Sequence, residues 1–220
     1  TNKAVTWESS NTKVATVENG VVKAVAIGTA VITVKSSDGV SSKCTVTVSK
    51  HAESVKFEKD SYTLENGKSL TLKATVLPAD TSFKTLTYTT SDKAVAVVSS
   101  AGVVTAKGVG TATISAKTAD GVTAICRVTV IQNPTKLVLS ATMKTLTEGA
   151  KTTLSVTFEP KTTTAKDVVW SSSDTKVATV DQNGVVTAVS KGTAKITVKS
   201  KANSVSAVCT VTVTRKVTGV

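Results

Sequence analysis

The stretch Val169-Trp170-Ser171-Ser172-Ser173-Asp174-Thr175-Lys176-Val177-Ala178-Thr179-Val180 is written three times in this chain with small changes. It stands as TWESSNTKVATV from Thr6 and as TYTTSDKAVAVV from Thr87. Each version leads into a Gly-Val-Val step, at Gly20-Val21-Val22, Gly102-Val103-Val104 and Gly184-Val185-Val186. Next come GTAVITVK from Gly28, GTATISAK from Gly110 and GTAKITVK from Gly192, and each copy closes on Cys-x-Val-Thr-Val at Cys44, Cys126 and Cys209. The three step glycines recur at intervals of 82 and 82 residues, the cysteines at 82 and 83. Such a period is too long for a helical-solenoid or propeller unit and suits a whole small domain, so the chain reads as a tandem array.

Within a copy the apolar residues alternate with polar ones, as in strands with one buried and one wet face. In the second copy Val55-Lys56-Phe57 opens the pattern. Leu70, Leu72, Ala74 and Val76 alternate up to Pro78, and Leu86 and Tyr88 alternate next. Ala112, Ile114 and Ala116 point one way, with Thr111, Thr113, Ser115 and Lys117 opposite, and Cys126, Val128 and Val130 finish the inner face. Asn19-Gly20 and Asn183-Gly184 suit tight hairpins, because both residue types tolerate positive φ. Asp38-Gly39 and Asp120-Gly121 do the same between the last two strands, where the third copy has Ala202-Asn203. No segment of useful length carries a helical period, and short strands between regular turns spell an all-β sandwich.

The composition agrees. Of 220 residues 40% are hydrophobic but only 3% aromatic, and the commonest residues are the β-branched valine and threonine. One His excludes a two-His metal site within the chain, no Asp-x-Asp-x-Asp-Gly calcium loop occurs, and no apolar run approaches the ~20 residues of a membrane helix. No Ser or Cys has a His-based triad available within its own copy. The reading therefore expects no catalytic, metal or cofactor-binding residue, no enzyme, and no membrane insertion by this segment.

The ordered run Trp/Tyr-x-Ser/Thr-Ser/Thr, Val-Ala-x-Val, Gly-Val-Val, Gly-Thr-Ala-x-Ile, Cys-x-Val-Thr-Val resembles the bacterial immunoglobulin-like domain, group 2, over nearly the whole chain. The resemblance implies tandem Ig-like β-sandwiches in a linear array, as in the extracellular stalks of intimin- and invasin-type adhesins, in accessory modules of cell-wall enzymes and in phage virion proteins. It implies no catalytic residue. The units expected are residues 1–49, a partial repeat lacking its first strands, 50–131 and 132–214, two complete repeats, and 215–220, the start of a further repeat. Both ends read as cuts through a longer array, with strands supplied by another chain as the alternative for the first repeat.

Cys44, Cys126 and Cys209 share a face with core valines, so all three are expected as small buried hydrophobes, reduced and slow to react. Trp7, Tyr88 and Trp170 hold one equivalent position and are expected as core anchors rather than sugar platforms. His51, in the linker Ser49-Lys50-His51-Ala52-Glu53, is expected to be solvated. Lys+Arg 27 against Asp+Glu 15 gives +12, and residues 132–220 hold 12 basic against 5 acidic groups, +7 of that total. Only two arginines and few aromatics argue against nucleic acid. Lys191, Lys195, Lys199 and Lys201 gather on one strand and its turns and are the candidate contact for an anionic polymer such as a cell-wall or host glycan.

The function expected is non-catalytic: stalk repeats of a bacterial cell-surface or extracellular protein that space or display another part. Their partners are the neighbouring repeats of the same chain. The alternatives are a component of a virion or filament, with other copies as partners, and a glycan- or receptor-binding module.

Overall fold

The structure, a computed structural model, describes residues 4–215, so the expected start of a further repeat at 215–220 lies, beyond its first residue, outside the described residues. All regular structure among the described residues is strand. The first group comprises β1 (Val5–Ser9), β2 (Ala15–Glu18), β3 (Val21–Ala24), β4 (Gly28–Ser36) and β5 (Ser41–Val48). The second comprises β6 (Ser54–Phe57), β7 (Ser61–Glu65), β8 (Ser69–Thr71), β9 (Ala74–Leu77), β10 (Leu86–Thr90), β11 (Ala96–Val98), β12 (Val103–Ala106), β13 (Gly110–Thr118) and β14 (Thr123–Ile131). The third repeats it with β15 (Lys136–Leu139), β16 (Met143–Thr147), β17 (Lys151–Thr153), β18 (Val156–Glu159), β19 (Val168–Ser172), β20 (Ala178–Val180), β21 (Val185–Ala188), β22 (Gly192–Ser200) and β23 (Ser206–Thr214).

Strands pair only within their own group. In the second, one sheet runs β10-β13-β14-β7 and the facing strands form β11-β12-β8 and β6-β9; the third gives β16-β23-β22-β19, β17-β21-β20 and β15-β18. Every pairing is antiparallel except β7 on β14 and β16 on β23, which are parallel and join the start of a group to its end. The alternating run Leu70 to Val76 is not one strand. It breaks at the buried Leu72, so that β8 pairs with β12 and β9 crosses to β6. Alternation reports a face but not the sheet to which the face belongs, and a strand that changes sheets keeps its pattern.

Each complete group encloses one core. Ile114, Cys126, Val128 and Val104 lie at the centre of the second, and Ile196, Cys209, Val211 and Val186 at the centre of the third. Asn19-Gly20 forms a two-residue turn with both φ angles positive, 50° and 82°, as expected. Asn183 does not take positive φ. Four residues separate β20 from β21, and Asp181 Oδ1 accepts the N–H groups of Asn183 and Val185 at 2.8 and 2.9 Å, so a side chain closes the longer loop and the asparagine needs no left-handed backbone.

The repeated motif couples distant positions because they touch. The ring of Trp170 lies on Gly184 (φ +78°), where a Cβ would come 2.9 Å from Cζ2 and also strike the carbonyl oxygen of Leu154. Gly192 (φ +155°) leaves 2.7 Å between an imagined Cβ and Cγ2 of Val177, which ties Gly-Thr-Ala to Val-Ala-x-Val. Gly149 has the same kind of backbone (φ +82°) with nothing within 4 Å. Urea unfolding followed by tryptophan fluorescence therefore separates the two effects. Gly149→Ala should cost about 1–2 kcal/mol for backbone alone, whereas Gly184→Ala adds overpacking of about 1–3 kcal/mol.

Candidate functional site: the linkers and the lysine-bearing sheet

With no catalytic cluster expected, the places where geometry can serve a function are the linkers and the outer sheet faces. The first linker is fastened to the group that follows it. Lys50 N–H donates to Ser82 Oγ at 3.0 Å and Ser82 N–H returns to Lys50 C=O at 2.9 Å. Thr81 Oγ1, on a buried threonine, donates to the same carbonyl at 2.8 Å. Ala52 N–H donates to Asp120 Oδ2 at 2.7 Å, and Glu53 N–H to Leu77 C=O at 2.8 Å. Lys50 Nζ reaches Asp80 at 2.8 Å, an exposed pair of small energetic value. The backbone bonds hold the linker, since each satisfies a group that would otherwise need water.

The second linker repeats the arrangement in the same register. Gln132 N–H donates to Thr164 Oγ1 at 2.9 Å, and Thr164 N–H returns to Gln132 C=O at 3.0 Å. Pro134 stands where Ala52 stood and has no N–H to give. The carboxylate that received that N–H is gone as well, replaced by Ala202-Asn203. Asn203 Nδ2 instead donates to Pro134 C=O at 2.7 Å, so the polarity of the fastening is reversed and its place kept. Gln132 also reaches back: its Oε1 accepts from Asn66 Nδ2 at 3.2 Å, and Asn66 N–H donates to Ile131 C=O at 2.8 Å.

Asp120 was legible only as a turn former. Its side chain is 4% exposed and gathers the Thr118 hydroxyl, Ala52 N–H and His51 Nδ1, the last at 3.2 Å. The Thr118 hydroxyl foremost, then the Ala52 and His51 hydrogen bonds, hold its carboxyl below the usual aspartate range against the opposing effect of burial. The signal that could have found it is internal: aspartate pairs with Ala52, and where the aspartate is missing the alanine is proline. His51 is exposed, as expected of a linker residue, but it is partnered, since its ring also stacks on Phe83 with centroids 5.2 Å apart.

The expected core residues divide. Cys126 and Cys209 are buried, Trp170 is 6% exposed, and Tyr88 packs half-buried on its core. Cys44 and Trp7 are not core residues in this structure: Cys44 is exposed and Trp7 38% exposed. The reason is local. β14 is covered by β7 and β12 by β8, whereas β5 and β3 have no such neighbour among the described residues. Burial pushes the thiols of Cys126 and Cys209 up, the first with help from Asp60 and the second against the pull of Lys144.

Of the four lysines, Lys195 and Lys199 project from the outer face of β22. Lys191 and Lys201 sit at its two ends, with backbone N–H groups on Glu148 Oε1 and on Asp167 C=O. The structure thus brings two of them onto one face. Among the described residues no group of three or more His, Cys, Asp or Glu could hold a metal ion, and no helix is long and apolar enough to cross a membrane.

Residues 1–48, 51–128 and 135–217 each match the bacterial Ig-like domain (group 2). The chain belongs to that family. Its group 2 repeats are 35% identical over 167 residues to an Ig-like virion protein of Serratia phage KSP90, covering 73% of this chain and 65% of that one. They are 32% identical over 217 residues to ice-binding protein 1 of Shewanella frigidimarina, covering 94% of this chain and 24% of that protein. The chain therefore spans less than two thirds of either relative. A C-terminal fragment of intimin, solved in complex with the intimin-binding domain of its translocated receptor, is similar at 20% identity with a TM-score of 0.45, over 74% of this chain and 64% of that one.

Two outcomes follow for these Ig-like repeats. A thiol reagent should label Cys44 quickly, with Cys126 and Cys209 reacting only as denaturant unfolds the chain; liquid chromatography with mass spectrometry of the labelled peptides reads this directly. Asp120→Ala should lower the melting temperature of the second repeat at pH 7. Because the folded carboxyl holds its proton less readily than the unfolded one, its contribution is full above about pH 4 and is lost as pH falls through the lower folded value. The gap between wild type and variant should therefore close in acid, which a pH series of thermal melts measures.

Proposed function

We propose that these repeats are a non-catalytic spacer in a bacterial cell-surface or extracellular protein, holding an adhesive or other functional part at a distance. The observation that carries this reading is the fastening of each linker to the repeat after it. A linker held at Lys50, Ala52 and Glu53, or at Gln132 and Pro134, leaves few free torsions between one sandwich and the next. On this reading the unit boundaries fall before Lys50 and before Gln132, where the fastenings begin, giving 1–49, 50–131 and 132–214. Spacing by stacked sandwiches needs no ligand and no reactive group.

A second reading is a structural part of a virion, and the similarity to the phage Ig-like virion protein supports it. Both readings ask the same of the chain, which is length without flexibility.

Small-angle scattering tests this. A compact body of 220 residues has a radius of gyration of about 17 Å. The spacer reading expects a value well above that, with a distance distribution that broadens in the double variant Thr81→Val/Asp120→Ala. A value near about 17 Å would contradict it.

A further inference from the structure

The sheets that bury the core have a second face turned to solvent, and its chemistry is repeated. Cross-strand rows on this face run Thr6–Lys35–Ser41, Thr87–Lys117–Thr123 and Val169–Lys199–Ser206 in the three repeats. A lysine thus stands at one place in every copy with a hydroxyl beside it. Each face holds a second cation, Lys43, Arg127 or Lys195. The last two occupy the same row on adjacent strands, Thr113–Arg127 in one copy and Lys195–Thr210 in the other.

In the complete repeats the two cations lie four residues apart along the sheet, about 13 Å. Between them the middle row presents an exposed apolar side chain, Ile125 (65% exposed) or Val208 (43%). None of the six cations forms an ion pair among the described residues. The four strands of the third sheet contain no Asp or Glu, those of the second only Glu65 at one end, and those of the first only Glu8. The facing sheets mix the two signs, as with Glu18 and Lys23 on β2 and β3, or the Lys136–Glu159 pair at 3.7 Å.

We propose that this face is a repeated contact surface for a linear anionic polysaccharide. Cation, apolar side chain and cation in successive rows of two neighbouring strands match a chain of sugars that offers spaced carboxylate or sulfate groups with C–H faces between them. The flanking Ser41, Thr123 and Ser206 supply hydroxyls for hydrogen bonds. One copy makes a weak, screened contact, and several copies on one chain convert it into a useful one through effective concentration. Nucleic acid fits less well. Duplex DNA carries a charge about every 1.7 Å, far denser than two cations per face. In the complete repeats the aromatic residues of these sheets, Tyr62, Tyr88 and Trp170, pack on the core and leave none on this face to stack bases. The surface is independent of the spacer reading, which rests on the fastening of the linkers.

The test compares the 220-residue chain with two triple variants of equal charge change. One is Lys35→Gln/Lys117→Gln/Lys199→Gln on the face. The other is Lys23→Gln/Lys73→Gln/Lys151→Gln, exposed lysines of the opposite side. The probes are immobilised heparin and a single-stranded DNA oligonucleotide, read at low salt and along a sodium chloride series, with thermal melts to show that both variants stay folded. The face variant should lose about tenfold or more in heparin affinity, the control variant should keep it, and DNA should bind more weakly than heparin. Equal losses in the two variants, failure of the unaltered chain to bind heparin, or DNA binding as strong as heparin binding would each overturn the proposal.

Discussion

Each complete repeat is closed by a bond between its beginning and its end. The strand near its start lies parallel on the strand that finishes it, β7 on β14 and β16 on β23. A parallel neighbour cannot arrive by a hairpin, so the intervening chain must go round the whole sandwich before the ladder forms. The first repeat shows what depends on that closure. Val104 and Val186 are fully buried, whereas Val22 at the same place is 39% exposed, and Cys44 opens where Cys126 and Cys209 are enclosed. Burying one such valine contributes about 1.5–3 kcal/mol, so the few positions that the closing strands cover in a complete repeat supply a large part of what holds so small a domain together.

The linkers extend the same principle. Ala52 meets Asp120, from the hairpin before the last strand, and Asn203 of the equivalent hairpin meets Pro134. The first residues of a repeat are thereby held by its last hairpin as well as by its loop, at Thr81 and Ser82 or at Thr164. A linker fastened in this way moves with the domain after it. Gln132 adds a contact with Asn66 of the domain before it, so that junction is held from both sides. The proposed spacer reading rests on this distribution of hydrogen bonds.

Most of the fold was legible because it is periodic twice, at two residues within strands and at about eighty along the chain. Ile114, Cys126, Cys209 and Trp170 could be placed inside from alternation alone. Alternation could not say that Leu72 marks a change of sheet, because both halves of the run keep the same inward face. It could not place Cys44 or Trp7 correctly either, since burial belongs to the strands that cover a residue and not to the residue itself. Asp120 was hidden for another reason. An Asp-Gly turn explains itself, and only the paired change to Ala202 and Pro134 betrays a second duty. The lysines Lys195 and Lys199 were found by composition, but their likeness to Lys117 and Arg127 needed the cross-strand register.

The claim on which the rest depends is that the beginning of a repeat, linker included, is fastened to that repeat. Native-state hydrogen exchange of the Lys50 and Ala52 amides measures it most directly, with Ile114→Ala to destabilise the second repeat and Ile196→Ala to destabilise the third. The account predicts that both amides are protected in the unaltered chain, lose protection with β14 in the Ile114→Ala variant, and are unchanged by Ile196→Ala. Exchange of both amides at the rate of an unstructured peptide in the unaltered chain would contradict it.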